Sequence, residues 1–139
     1  MAVAPINSVR RVVEYGVTQI PPQKLLLGMP NYGYDWPLPF VQGETVATTI
    51  GNVEAVEIAQ RAGVPIQYDE GSQAPFFRYF NLDNGQEHEV WFEDARSVQA
   101  KARLVNEFGL YGIGIWQLMR YFPQMWLVLN SMHEIIKLL

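Results

Sequence analysis

Lys24 to Trp36 reads KLLLGMPNYGYDW. Lys24-Leu25-Leu26-Leu27 leads into Gly28-Met29-Pro30, and then three aromatics, Tyr32, Tyr34 and Trp36, fall within five positions. The first half is a continuous apolar run without polar alternation, which predicts a strand buried on both faces. The second half reads as the mouth of that strand, where rings and polar groups gather. Gly112 to Met119, GIGIWQLM, follows the same plan. Two such strands, each with aromatics at its C-terminal end, point to an α/β protein that binds something flat-faced.

Helical patterns flank both stretches. Asn7 or Ser8 can cap a helix running to about Gln19, with Val9, Val12, Val13, Val17 and Ile20 at helical spacing. Pro21-Pro22 stops it. A second helix runs from Gly51 or Asn52 to about Ala62, with Val53, Val56 and Ala59 inward and Gly63 as C-cap. Asp94 caps a third, from Ala95 to about Phe108, whose face is Ala95, Val98, Ala102, Val105 and Phe108; Gly109 ends it. A last helix starts near Pro123 and is expected to reach Leu138, with Trp126, Leu129, Ile135 and Ile136 inward.

Between the two main strands the pattern changes. Ile66–Tyr68, Phe76–Phe80 and Glu87–Phe92 read as strands, the last two joined by a turn ending in Asn84-Gly85. Gly43 to Ile50 is polar and carries no clear pattern. The expected organisation is an α/β domain over residues 1–36 and 93–139, interrupted by a small α+β insertion at 37–92. Helix–strand alternation implies parallel strands covered by helices. Two parallel strands alone leave open edges, so the chain reads as part of a larger α/β domain.

Composition limits the functions open to the chain. Apolar residues make up 49% and charged residues 17%, which argues against disorder. A net charge of −4 argues against non-specific binding to nucleic acid or an anionic membrane. The absence of cysteine removes disulfides, thiolate metal sites and a cysteine nucleophile together. No apolar run approaches the roughly 20 residues of a membrane span. The start, MAVAPINSVRR, does not have the order of a signal peptide. Two separated histidines make a metal site unexpected, and no phosphate loop or nucleophile elbow is present. Asp69-Glu70-Gly71 reads as a turn, and Glu87-His88-Glu89 alternates along a strand without forming a compact ligand set.

KLLLGMPNYGYDW, HEVWFEDARSV and GIGIWQLM, in that order, resemble family 18 glycoside hydrolases. The likeness is greatest to the spore-associated, cortex-lytic N-acetylglucosaminidase branch, which FPQMWLVL also fits. The resemblance runs over essentially the whole chain. It implies the C-terminal portion of a (β/α)8 barrel, with strands seven and eight, their helices and a small insertion. It also implies a glycan substrate containing N-acetylglucosamine, peptidoglycan or chitin, and a parent protein in the spore, the cell envelope or the extracellular space. The family's acidic DxxDxDxE motif does not occur in this sequence. The expected catalytic set here is therefore none, and no cofactor or metal is implied.

Trp116 is the foremost binding candidate. An indole at a strand's end can stack on the apolar face of a sugar, or it can be a core Trp under a loop. By resemblance it is the floor of the sugar site. Tyr32 and Tyr34 flank Gly33 at the rim, and rim packing against the insertion is the alternative for both. Tyr34 stands where many chitinases of the family carry Arg, so no Arg–sugar contact carries over. Gln117 is a candidate polar contact and Trp91 a candidate wall residue from the insertion. The expected function is a glycosidase segment supplying binding aromatics; the alternative is an inactive carbohydrate-binding or oligomerising module. Open strand edges predict a homo-oligomer or pairing with the rest of a barrel.

Overall fold

The computed structural model describes residues 1–135. It is a mixed α/β structure with two separate sheets. The order is α1 (Ile6–Gln19), a single 3-10 turn (Pro22–Lys24), β1 (Leu26–Pro30), β2 (Gly33–Pro37), β3 (Thr48–Ile50), α2 (Asn52–Ala62), β4 (Gln67–Asp69), β5 (Ala74–Asn81), β6 (Gln86–Trp91), α3 (Ala95–Phe108), β7 (Gly112–Trp116) and α4 (Pro123–Met132). β1 and β7 pair in parallel, from Leu26 opposite Gly112 to Pro30 opposite Trp116. The second sheet is antiparallel, in the order β3-β2-β6-β5-β4.

Among the described residues the parallel pair is covered on one face only. Leu27 and Met29 are buried against α1, α3 and α4, with Ile113 and Ile115 beside them. The opposite face carries Leu26, Gly28, Gly112, Gly114 and, at its top, Trp116, because strand side chains alternate. Leu26 is 59% exposed, so the strand expected to be buried on both faces is buried on one. Leu25–Leu27 is apolar throughout, but helices pack against only one side of it.

The expected mouth of β1 is itself a strand. After Asn31 and Tyr32 the chain enters β2, whose partners β3 and β6 belong to the second sheet. The change from one sheet to the other thus falls before Gly33, rather than after Trp36. A close backbone approach fixes this crossing. A Cβ on Gly33 would lie 2.5 Å from the Trp91 carbonyl and 2.7 Å from Phe92 Cβ, so only glycine fits where the outgoing and returning strands meet.

The five-stranded sheet has two unlike faces. Phe77, Val90, Phe92 and Ile50 pack on Ala55 and Ala59 of α2 to make its core. The other face presents Tyr34, Trp91 and Phe76 in one cross-strand row and Trp36, Glu89 and Arg78 in the next. Small residues face inward on α2 because the helix lies close to the sheet. The expected inward Val53 and Val56 are exposed there, and only Ala59 of that set is buried.

Helix ends follow local chemistry in two cases and tertiary contact in a third. Asp94 caps α3 by accepting from the Ser97 N–H at 2.9 Å, while the Ser97 hydroxyl accepts from the Asp94 N–H. Gly63 and Gly109 close α2 and α3 in the left-handed conformation, as their spacing predicts. α1, by contrast, starts at Ile6, ahead of the expected Asn7 or Ser8 cap. Its first N–H donates to the Ser72 carbonyl at 2.8 Å, so a turn of the second sheet does the work of a cap. Val13 is the buried residue of α1; Val12 and Ile20, expected inward, are exposed because the helix meets little beyond α3. On α4, Met125 and Leu129 are buried while Trp126 is 42% exposed, and the helix ends at Met132. Ile135 is exposed; Ile136 and Leu138 lie outside the described residues.

Candidate functional site

Trp116 ends β7 with its indole 70% exposed, above a strand face made of glycines. A Cβ added to Gly28 or Gly114 would meet nothing within 4 Å, so the face below the indole is open. Trp116, Tyr32, Gly28, Pro30, Val3 and Ala4 line a cleft of about 260 Å³. The parallel register brings this about: Pro30 and Trp116 end their strands side by side, and Tyr32 follows two residues after Pro30. The Trp116–Gln117 peptide is cis.

From Tyr32 a series of rings leads away from the cleft. Tyr32 meets Tyr34 edge to face at 5.7 Å, Tyr34 meets Trp36 at 5.6 Å, and Trp36 meets Phe40 at 5.5 Å. Such pairs hold one another's orientation. The Trp36 indole N–H donates to the Met1 carbonyl at 3.0 Å. Burial, with Tyr34 and then the Glu93 carboxyl nearby, raises Tyr32 above the usual phenol range. Tyr32 therefore remains a neutral hydroxyl able both to donate and to accept.

The remaining candidates are engaged differently. Trp91 stacks on Phe76 at 4.7 Å, and its indole N–H donates to Glu89 at 2.6 Å. It shares a cross-strand row with Tyr34, placing it on the sheet face next to the ring series rather than in the cleft with Trp116. Burial raises the Glu89 carboxyl, but hydrogen bonds from Trp91 and Arg78 outweigh it and hold Glu89 below the ordinary carboxylate range. Gln117 offers its backbone carbonyl to the Asn31 side chain.

Several acids are engaged within the fold. Asp94 is a helix cap, and Asp69 accepts from the Ser72 N–H and hydroxyl in a turn. His88 and Tyr79 both bond to Asp35, at 2.8 and 2.7 Å, on the core face of the second sheet. Glu93 is buried against Lys101 at 2.8 Å. Among the described residues no group of three His, Cys, Asp or Glu side chains is placed to hold a metal ion, and no helix is long and apolar enough to cross a membrane.

Sequence reasoning missed Asn31 and Asn52. Both are nearly inaccessible, and they join the two sheets. Asn31 donates from its side chain to the carbonyls of Gln117 and Arg120, while Asn52 donates to Asn31 and accepts from the Glu93 N–H. The polar residue directly after an apolar strand was the available signal, but its partners lie far along the chain.

The glycosyl hydrolases family 18 model matches residues 3–120. The chain belongs to this family. The cortical fragment-lytic enzyme of Bacillus subtilis (strain 168) is 48% identical over 136 residues, which cover 98% of this chain and 31% of that protein. The crystal structure of the Bacillus megaterium QM B1551 spore cortex-lytic enzyme SleL superposes with a TM-score of 0.94 at 48% identity, over 100% of this chain and 32% of that one. The Chromobacterium violaceum ATCC 12472 chitinase superposes with a TM-score of 0.84 at 31% identity, over 94% of this chain and 39% of that one. This family 18 chain thus spans about a third of the length of the relatives it matches.

Proposed function

We propose that this family 18 segment binds a glycan containing N-acetylglucosamine, with Trp116 as the platform under one sugar ring. The observation that carries the reading is an indole 70% exposed over a glycine-lined strand face, beside Tyr32. The apolar face of a pyranose suits an indole plane, and polar edges suit the neutral Tyr32 hydroxyl. Tyr34 and the Gln117 side chain would extend the rim of the same cleft, and Trp91 would serve a longer glycan on the sheet face beyond it. Peptidoglycan strands and chitin both present such sugars, and the named relatives, cortex-lytic and chitinase enzymes, favour this substrate class. The names of the cortex-lytic relatives favour a spore or cell-envelope setting.

In this reading β1 and β7 are strands seven and eight of a (β/α)8 barrel, and the second sheet with α2 is the insertion that walls its cleft. The site sits at the C-terminal ends of the strands, the functional end of such barrels. Hydrolysis in this family is an exception to the two-carboxylate scheme. We assign the chain no catalytic acid: Asp94 serves as a cap, Asp69 in a turn and Asp35 and Glu93 as buried partners, and among the described residues no carboxylate lines the cleft beside Trp116. The purified chain is expected to release no product from chitooligosaccharides; steady turnover that survives repurification would overturn that assignment.

A second role is favoured by the uncovered side of the parallel pair. Leu26 is 59% exposed there, beside Gly28, Gly112 and Gly114. This surface would take the further strands of a barrel, or a second copy of the chain.

A further inference from the structure

Asn31 is 1% exposed, and its backbone N–H and both side-chain polar atoms are hydrogen-bonded. Its backbone N–H donates to the Trp116 carbonyl at 2.6 Å. Its side-chain amide donates to the Gln117 carbonyl at 2.9 Å and to the Arg120 carbonyl at 2.8 Å. Its side-chain oxygen accepts from Asn52 at 3.2 Å. One residue at the end of β1 therefore holds three carbonyls spanning residues 116–120.

Only an amide satisfies this arrangement. Two carbonyls need two N–H donors, and Asn52 needs an acceptor. Asn52 in turn is fixed by the Glu93 N–H, which donates to it at 2.9 Å. Arg120 adds a second tie from the same loop, donating to the Thr49 carbonyl of β3 at 3.3 Å. The loop after Trp116 is thus anchored to β1 and also to the second sheet, while the indole itself stands free in the cleft.

We propose that Asn31 is a positioning residue for the Trp116 platform, a role whose purpose rests on the sugar-binding reading of that indole. Asn31 sets the orientation of the backbone that carries the ring, and Asn52 holds the Asn31 amide in the one orientation that works. The cleft floor on β7 and the wall on the second sheet are thereby kept in register. Replacing Asn31 by Asp keeps size and shape but places a carboxylate against two carbonyl oxygens.

The test uses heteronuclear NMR of the full labelled chain, following its four tryptophan indole N–H signals. The Trp116 signal is the one missing from Trp116→Phe. In Asn31→Asp the Trp116 signal is expected to shift and broaden while those of Trp36 and Trp91, on the second sheet, stay in place. Asn52→Ala removes the bond that orients the amide, together with the acceptor for the Glu93 N–H, and the same selective change is expected at smaller size; it decides the matter if Asn31→Asp does not fold. An unchanged Trp116 signal, or equal movement of all three, would overturn the proposal. Addition of N-acetylglucosamine oligomers separates the two readings. If wild type binds, Asn31→Asp is expected to bind about tenfold more weakly, a loss of one hydrogen bond's order; undiminished binding would count against the positioning role. If wild type shows no sugar response, the sugar reading fails, and the selective indole change still decides whether Asn31 positions Trp116.

Discussion

Lys101→Met is expected to lower the unfolding free energy by about 3–5 kcal/mol near pH 7. Lys101 is 0% and Glu93 2% exposed, and their charged atoms lie 2.8 Å apart. Methionine fills the aliphatic path of lysine but leaves the Glu93 carboxylate buried without its counter-ion. Burial is the main influence on Glu93 and raises its pKa above the ordinary value of 4.5, while Lys101 and Ser97 act in the opposite sense. Without Lys101 the rise becomes larger. A carboxyl raised in the folded state is protonated in both states at pH values below 4.5 and carries no penalty there. The penalty grows as pH climbs through the raised folded value. Urea unfolding of wild type and variant across this range should therefore show a gap that widens with pH. Adding Glu93→Leu to Lys101→Met should recover most of the loss, because it removes the stranded charge. A gap that is the same at every pH would contradict this account of the pair.

Phe77→Ala is expected to cost about 3–5 kcal/mol by a different route. Phe77 is fully buried in the core of the second sheet, between Ala55 and Ala59 of α2 and the edge of Phe92. Its removal leaves a cavity that a β-sheet backed by one short helix cannot close. The core around Met29, Val98 and Met125 is a separate cluster. Hydrogen exchange should therefore show β5 and β6 losing far more protection than β1 and β7. Equal loss across both sheets would mean that the two cores unfold as one.

Much of the secondary structure was readable because local signals agreed. α3 has apolar residues at helical spacing between an acidic cap at Asp94 and Gly109, and it forms between those limits. The turn before β6 was marked by Asn84-Gly85, with Gly85 in the left-handed region. β2 was misread for a physical reason. Its residues do alternate, but the inward member is Asp35, held by Tyr79 and His88, while Tyr34 and Trp36 occupy the opposite face. A strand whose buried side is polar defeats the rule that apolar residues point inward. α2 forms over the expected residues, but its inward face differs because close packing on Phe77 selects alanines over valines. Lys101 stood at a core-facing position of α3, three residues after Val98, and its burial became intelligible only with Glu93 beside it.

For the site, the sequence supplied Trp116 and Tyr32 as residues at strand ends, and the parallel register is what brings them to one cleft. Trp91 is engaged by Phe76 and Glu89, which no local pattern foretold. Asn31 and Asn52 were silent because a buried amide is identified by its partners, and those lie on other elements.

Everything proposed for the cleft depends on Trp116 serving as a sugar platform. Titrating the chain with N-acetylglucosamine oligomers while following tryptophan fluorescence tests it most directly, with Trp116→Ala as the comparison. Since the indole is largely exposed, the variant should keep its fold and thermal midpoint. A saturable fluorescence change is expected in wild type and is expected to be absent from Trp116→Ala. A saturable change that persists in the folded variant, or no change in wild type, would contradict it.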